Sequence, residues 1–148
     1  MEQNSSSSQN ETSRFDGLVE SLKGSKISNS KLRDEVFNLL LDDATESPSA
    51  GKFYIFEYDP KFADNLKEWD AYPIIYAMEF KKNNLIGANI HYIRTTNARL
   101  KALNSMSFPK KTLRQYIPKR ADSIFFEIKE SEVQLLSTLP LEKFHYNR

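Results

Sequence analysis

The chain holds no cysteine, four glycines, two histidines and one tryptophan in 148 residues. Without cysteine there is no disulfide, no thiolate zinc site and no cysteine nucleophile, a composition that fits a reducing compartment. The two histidines, His91 and His145, stand 54 positions apart, which argues against a histidine-rich metal centre. With so few glycines, no phosphate-cradling loop can be drawn. No apolar run approaches the ~18 residues of a membrane span. The opening MEQNSSSSQNETSR lacks the apolar core of a signal peptide. These absences predict a protein made in the cytoplasm that works without a cofactor, a metal, a membrane or a small-molecule substrate. Net charge is little guide to partners, since 21 basic residues nearly balance 20 acidic ones.

What is present divides the chain in three. Residues 1–14 are polar and serine-rich and cannot bury enough surface to offset their ordering entropy, so a disordered arm is expected there. Residues 15–50 read as a helical arm and an acidic linker. Phe15, Leu18, Val19 and Leu22 fall at helical spacing before Gly24. Ser30 is placed to cap a second helix carrying Leu32, Val36, Leu39 and Leu40. Residues 42–51 (DDATESPSAG) have the composition of a linker.

Residues 51–148 hold the pattern of an α+β core domain: a small antiparallel sheet, or a partly closed barrel, covered by short helices. Residues 53–58 are aromatic on both faces, as a central strand or a barrel seam would be. Ile74, Tyr76, Met78 and Phe80 alternate along one face. Lys81–Asn84 suits a hairpin loop of about four residues. The return strand runs to Ile93, with Gly87 marking a bulge or a close backbone approach. Asn97 is positioned to cap a helix containing Leu100 and Leu103, and Ser131 with Gln134 to form a capping box. Between these helices a strand covers residues 123–128, and the tail is expected to fold back through Leu141 and Phe144.

The strongest chemical signal is a segment of one charge. From His91 to Arg120 there are eight basic residues, Arg94, Arg99, Lys101, Lys110, Lys111, Arg114, Lys119 and Arg120, and no acidic one. Cations interleaved with Asn97, Phe108 and Tyr116 make a candidate surface for the phosphates of double-stranded DNA, giving affinity without base-sequence readout. A solvated face, neutralised by the acidic N-terminal part, accounts for the same residues. Two further readings concern chemistry. Glu79 and Lys81 have the Glu-x-Lys spacing of Mg²⁺-dependent nucleases, with Asp70 as a second carboxylate. Glu127 and Lys129 repeat that spacing, which shows how cheaply it arises. His91 reads as a hydrogen-bonded structural group, Asp59 and Asp70 as turn residues bonded to nearby N–H groups, and Trp69 as a core or interface anchor.

Four stretches carry a family resemblance: Phe56–Lys61 (FEYDPK), Trp69–Pro73 (WDAYP), Gly87–Tyr92 (GANIHY) and residues 135–144 (LLSTLPLEKF). Together they resemble the small structural proteins of T4-like tailed phages known as DNA end protector proteins. That family's form is Tyr-Asp-Pro-Lys, Tyr-Asp-x-x-Pro, Gly-x-Asn-x-His-Tyr and Leu-Pro-x-Glu-x-Phe. Trp69 stands where the family has tyrosine, and Ala88 where a larger residue is common. The likeness covers residues 51–146. It implies a non-enzymatic virion component, with DNA and other phage structural proteins as partners, in DNA-end protection or head completion at the head–tail region. A baseplate or tail assembly protein working only through protein contacts is the alternative.

Overall fold

A computed structural model describes residues 14–18, 20 and 27–147. Residues 1–13 of the arm predicted at 1–14, and the positions of Val19, Leu22 and Gly24, lie outside the described residues. Six strands form one antiparallel sheet in the order β1-β7-β2-β4-β5-β6. They are β1 (Ala44–Thr45), β2 (Phe53–Phe56), β4 (Ile74–Lys81), β5 (Asn84–Asn89), β6 (Leu113–Tyr116) and β7 (Phe125–Ile128). A separate pair joins β3 (Glu68–Asp70) to β8 (Phe144–Tyr146), so the tail does fold back. Helices α1 (Asn29–Leu39), α2 (Thr96–Ser105) and α3 (Glu130–Ser137) complete an α+β architecture.

The aromatic strand β2 is central, buried at all four positions, and its two faces build two cores. Phe53 and Ile55 join Ile74 and Ile128 beneath the helices, where Leu32, Val36, Leu40, Leu103, Val133 and Leu136 pack. Tyr54 and Phe56 join Tyr58, Ile75, Leu85, Tyr116 and Phe125 on the other face, largely through edge-to-face ring contacts. The sheet is not closed. It curls over this aromatic layer through one isolated bridge, Pro60 to Pro118, supported by Lys119 N–H donating to Asp59 O at 2.7 Å.

Several local expectations change, each for a physical reason. α1 takes its cap from Ser28, whose hydroxyl accepts from Lys31 N–H, rather than from Ser30. α2 is capped by Thr95 rather than Asn97. At α3 the carboxylate of Glu132, not Gln134, reaches back to the Lys129 N–H. Glu132 is held in turn by Arg14, which also pairs with Asp43 at 3.0 Å. Phe15 and Leu18 are buried in the helical core, as is α1, so residues before 51 supply part of the main core. Residues 44–45 of the expected linker pair with β7.

The hairpin closes in two residues, because Lys82 and Asn83 both take positive φ and let the strands run to Lys81 and from Asn84. A bulge at Met78 resets the alternation, so Phe80 faces the aromatic core with Ala77 instead of sharing the side of Ile74. Opposite the bulged strand, Gly87 is the predicted close approach: a Cβ there would lie 2.7 Å from Tyr76 O. Strand β5 stops at Asn89, and Ile90–Tyr92 turn as a 3₁₀ helix.

Candidate functional site

The turn Ile90–Tyr92 delivers His91 to a buried polar centre. Asn89 starts the turn by accepting the His91 N–H on its side-chain oxygen at 2.9 Å, which swings the imidazole inward. There His91 Nδ1 meets Asp70 Oδ2 at 2.6 Å, both side chains wholly buried. A carboxylate can only accept, so Nδ1 carries the proton. Asp70 also accepts from Asn89 Nδ2 at 3.1 Å, from Tyr72 N–H at 3.0 Å and from Lys143 N–H at 3.1 Å. The bond to Tyr72 is the predicted turn contact; the other three were not visible in the sequence. Burial pushes the Asp70 carboxyl up, but His91, the Tyr72 N–H and Asn89 outweigh it and hold it below 3.8.

The far side of the imidazole is different. His91 Nε2 and Glu142 Oε1 are buried without hydrogen-bond partners and lie 3.8 Å from each other. Glu142 Oε2 is 3.4 Å from Arg99 Nη2. Arg99 is only 7% exposed and donates to three main-chain carbonyls, Ile93 at 2.6 Å, Ser137 at 2.9 Å and His91 at 3.4 Å. Its guanidinium thus ties β5's end, α2 and α3 together.

Next to this centre a cavity of about 210 Å³ is lined by Glu68, His91, Tyr92, Arg94, Phe144 and Tyr146. Its aromatic wall is braced. Arg114 lies 3.9 Å over the Tyr92 ring, Tyr92 meets Phe144 edge-on at 5.2 Å, and Phe144 leans on Tyr146 at 6.4 Å. Burial raises the Tyr92 phenol to about 12, against the opposing pull of Arg114, so it remains a neutral hydroxyl. Tyr146 is 61% exposed and leaves a ring face open. Trp69, on the strand paired with β8, stacks on His145 at 5.1 Å.

The basic segment divides by position. Lys110 and Lys111 are exposed in a 3₁₀ turn leading into β6, which is an edge strand. Arg94, Lys101 and Lys119 are exposed, Arg94 at the cavity and Lys101 on α2. Arg120 is exposed and paired with Asp122 at 3.1 Å. Arg114 is half-buried against Tyr92, with its Nε lacking a partner. Arg99 is turned inward and offers no surface cation.

Asp70, Glu79 and Lys81 do not come together. Asp70 bonds Asn89, which sits opposite Ile75, whereas Glu79 is four residues further along β4, ~13 Å at ~3.3 Å per residue. No group of three or more His, Asp or Glu among the described residues is arranged to hold a metal. The centre around His91 was hidden from a reading of each motif alone. Its signal lay in the motifs as a set: the Trp69–Pro73 turn supplies Asp70, Gly87–Tyr92 supplies Asn89 and His91, and the C-terminal motif supplies Glu142 and Phe144.

A family model described as the phage T4 terminal DNA protecting protein matches residues 20–108. The match takes in Asp70, Asn89 and His91, begins before residue 51 and ends short of Glu142. No curated protein and no solved structure matches the chain.

Proposed function

Because this chain belongs to the phage T4 terminal DNA protecting protein family, with well over half of its length matched, we propose that it is a non-enzymatic structural component of a tailed-phage particle that covers DNA ends. Its location is the head–tail region, where it meets other structural proteins of the virion. The observation that carries the DNA contact is the segment from Arg94 to Arg120, eight basic residues and no acidic one, set on α2, the edge strand β6 and the turns beside them. Exposed Arg94, Lys101, Lys110, Lys111, Lys119 and Arg120 neutralise phosphates, and Arg114 contributes from its place on Tyr92. Arg99 is spent on main-chain carbonyls and takes no phosphate. Duplex DNA carries a charge every ~1.7 Å of axis, so such a surface binds any sequence and releases counterions on doing so.

The test is binding to blunt duplex DNA across a salt series with Mg²⁺ present. Affinity should fall steeply with salt, and each of Lys110→Ala, Lys111→Ala and Lys119→Ala should reduce the log–log slope by about 0.9. The DNA should remain intact. Absence of binding at low salt would refute the DNA contact and favour the same cations docking on acidic surfaces of neighbouring proteins. Cleavage lost on Glu79→Ala would refute the non-enzymatic reading.

A further inference from the structure

The cavity beside His91 joins features that a DNA duplex interior cannot satisfy. Two buried polar atoms, His91 Nε2 and Glu142 Oε1, stand 3.8 Å apart, each without a hydrogen-bond partner. With Nδ1–H given to Asp70, Nε2 is the ring nitrogen left to meet a ligand. A hydroxyl, which accepts and donates at once, can meet both when placed between them. Around them are the open ring of Tyr146, the braced rings of Phe144 and Tyr92, and the exposed cation of Arg94. Aromatic faces stack on nucleobases regardless of sequence, and arginine takes phosphate. Glu68 on the same lining disfavours a phosphate beside it, which leaves Arg94 as the phosphate's partner.

We propose that this cleft receives the terminal nucleotide of a DNA strand, with its free 3′ hydroxyl set between His91 Nε2 and Glu142 Oε1, its base stacked on Tyr146 and its phosphate on Arg94. Deoxyribose within a strand has both hydroxyls esterified and lacks the 2′ hydroxyl, so only a strand end supplies the sugar donor. The cavity, about 210 Å³, is smaller than the ~300 Å³ at which pockets for drug-sized ligands begin, and is too small for a base pair. This assignment rests on the proposed DNA role and makes it specific: the basic surface gives affinity, and the cleft distinguishes ends.

The full chain is titrated, at one salt concentration, against three DNAs of equal length and sequence: a blunt duplex with 3′ hydroxyls, the same duplex with 3′-dideoxy ends, and a covalently closed circle. The 3′-hydroxyl duplex should bind best, the dideoxy duplex about tenfold more weakly through the loss of one buried hydrogen bond. Tyr146→Ala should lower the ratio of end to circle affinity about fivefold, the lower range for a base–aromatic stack, and Tyr146→Phe should keep it. Equal affinity for all three DNAs would overturn the cleft while leaving the phosphate-contacting surface in place. An end preference that survives Tyr146→Ala would overturn it too, since the end would then be read elsewhere. No binding to any DNA would overturn both readings.

Discussion

Exchanging Asp70 for asparagine separates the charge of the buried centre from its shape. The carboxylate accepts four hydrogen bonds, two main-chain donors on Oδ1 and the side chains of Asn89 and His91 on Oδ2. An amide keeps one oxygen for Tyr72 and Lys143 but turns an NH₂ toward both Asn89 Nδ2 and His91 Nδ1; the imidazole can move its proton to Nε2 and accept, so Asn89 Nδ2 is the donor left unpaired. One stranded buried donor costs ~1–3 kcal/mol, and losing charge assistance in the remaining bonds adds on the order of 1. We therefore expect Asp70→Asn to lose about 2–4 kcal/mol, a large share of the ~5–15 that typically separates folded from unfolded domains. Asp70→Ala strands all four donors and should leave little folded protein at 25 °C. Urea unfolding followed through Trp69, the only tryptophan and the residue before Asp70, reads the effect directly. Acid gives a second handle. The carboxyl of Asp70 is held below 3.8 in the folded state, so its contribution is complete above the unfolded value of ~3.9 and is lost as pH falls through the folded value. Wild-type stability should fall as pH drops below about 4, and Asp70→Asn should remove part of that slope. A variant within about 0.5 kcal/mol of wild type at pH 7, or with the same acid slope, would refute the account of this centre.

Two further outcomes test the frame around the site. Gly87→Ala pushes a methyl against Tyr76 O and the Ile75 side chain across the β4–β5 ladder, and should cost about 1–3 kcal/mol in chemical denaturation. Gly17→Ala, which meets nothing within 4 Å, should stay within about 1 kcal/mol of wild type. Arg99→Ala removes the donor shared by three carbonyls and should destabilise by about 2–4 kcal/mol, yet leave the salt slope of DNA binding unchanged. A reduced slope with unchanged stability would mean that Arg99 meets phosphate after all.

The α+β class, the central position of β2, the β4–β5 hairpin and the fold-back of the tail were legible in the amino-acid pattern. Apolar alternation and turn residues act over a few positions, and a strand with aromatics on both faces has to be covered on both. The charge run from Arg94 to Arg120 was equally plain, because charge is a property of the residues themselves. What tertiary structure alone decided was where each group ended up. The bulge at Met78 moved Phe80 to the other core, and a 3₁₀ turn replaced the last residues of β5, so His91 points at Asp70 rather than across a sheet. Arg99, indistinguishable by type from its seven basic neighbours, became an internal brace because carbonyls of Ile93, Ser137 and His91 converge on it. The pairing of Asp70 with His91 and Lys143, 21 and 73 positions away, depends on β3 meeting β8 beside the end of β5. No local pattern encodes such a meeting, since it arises from how sheets and helices distant in sequence bury their apolar faces together.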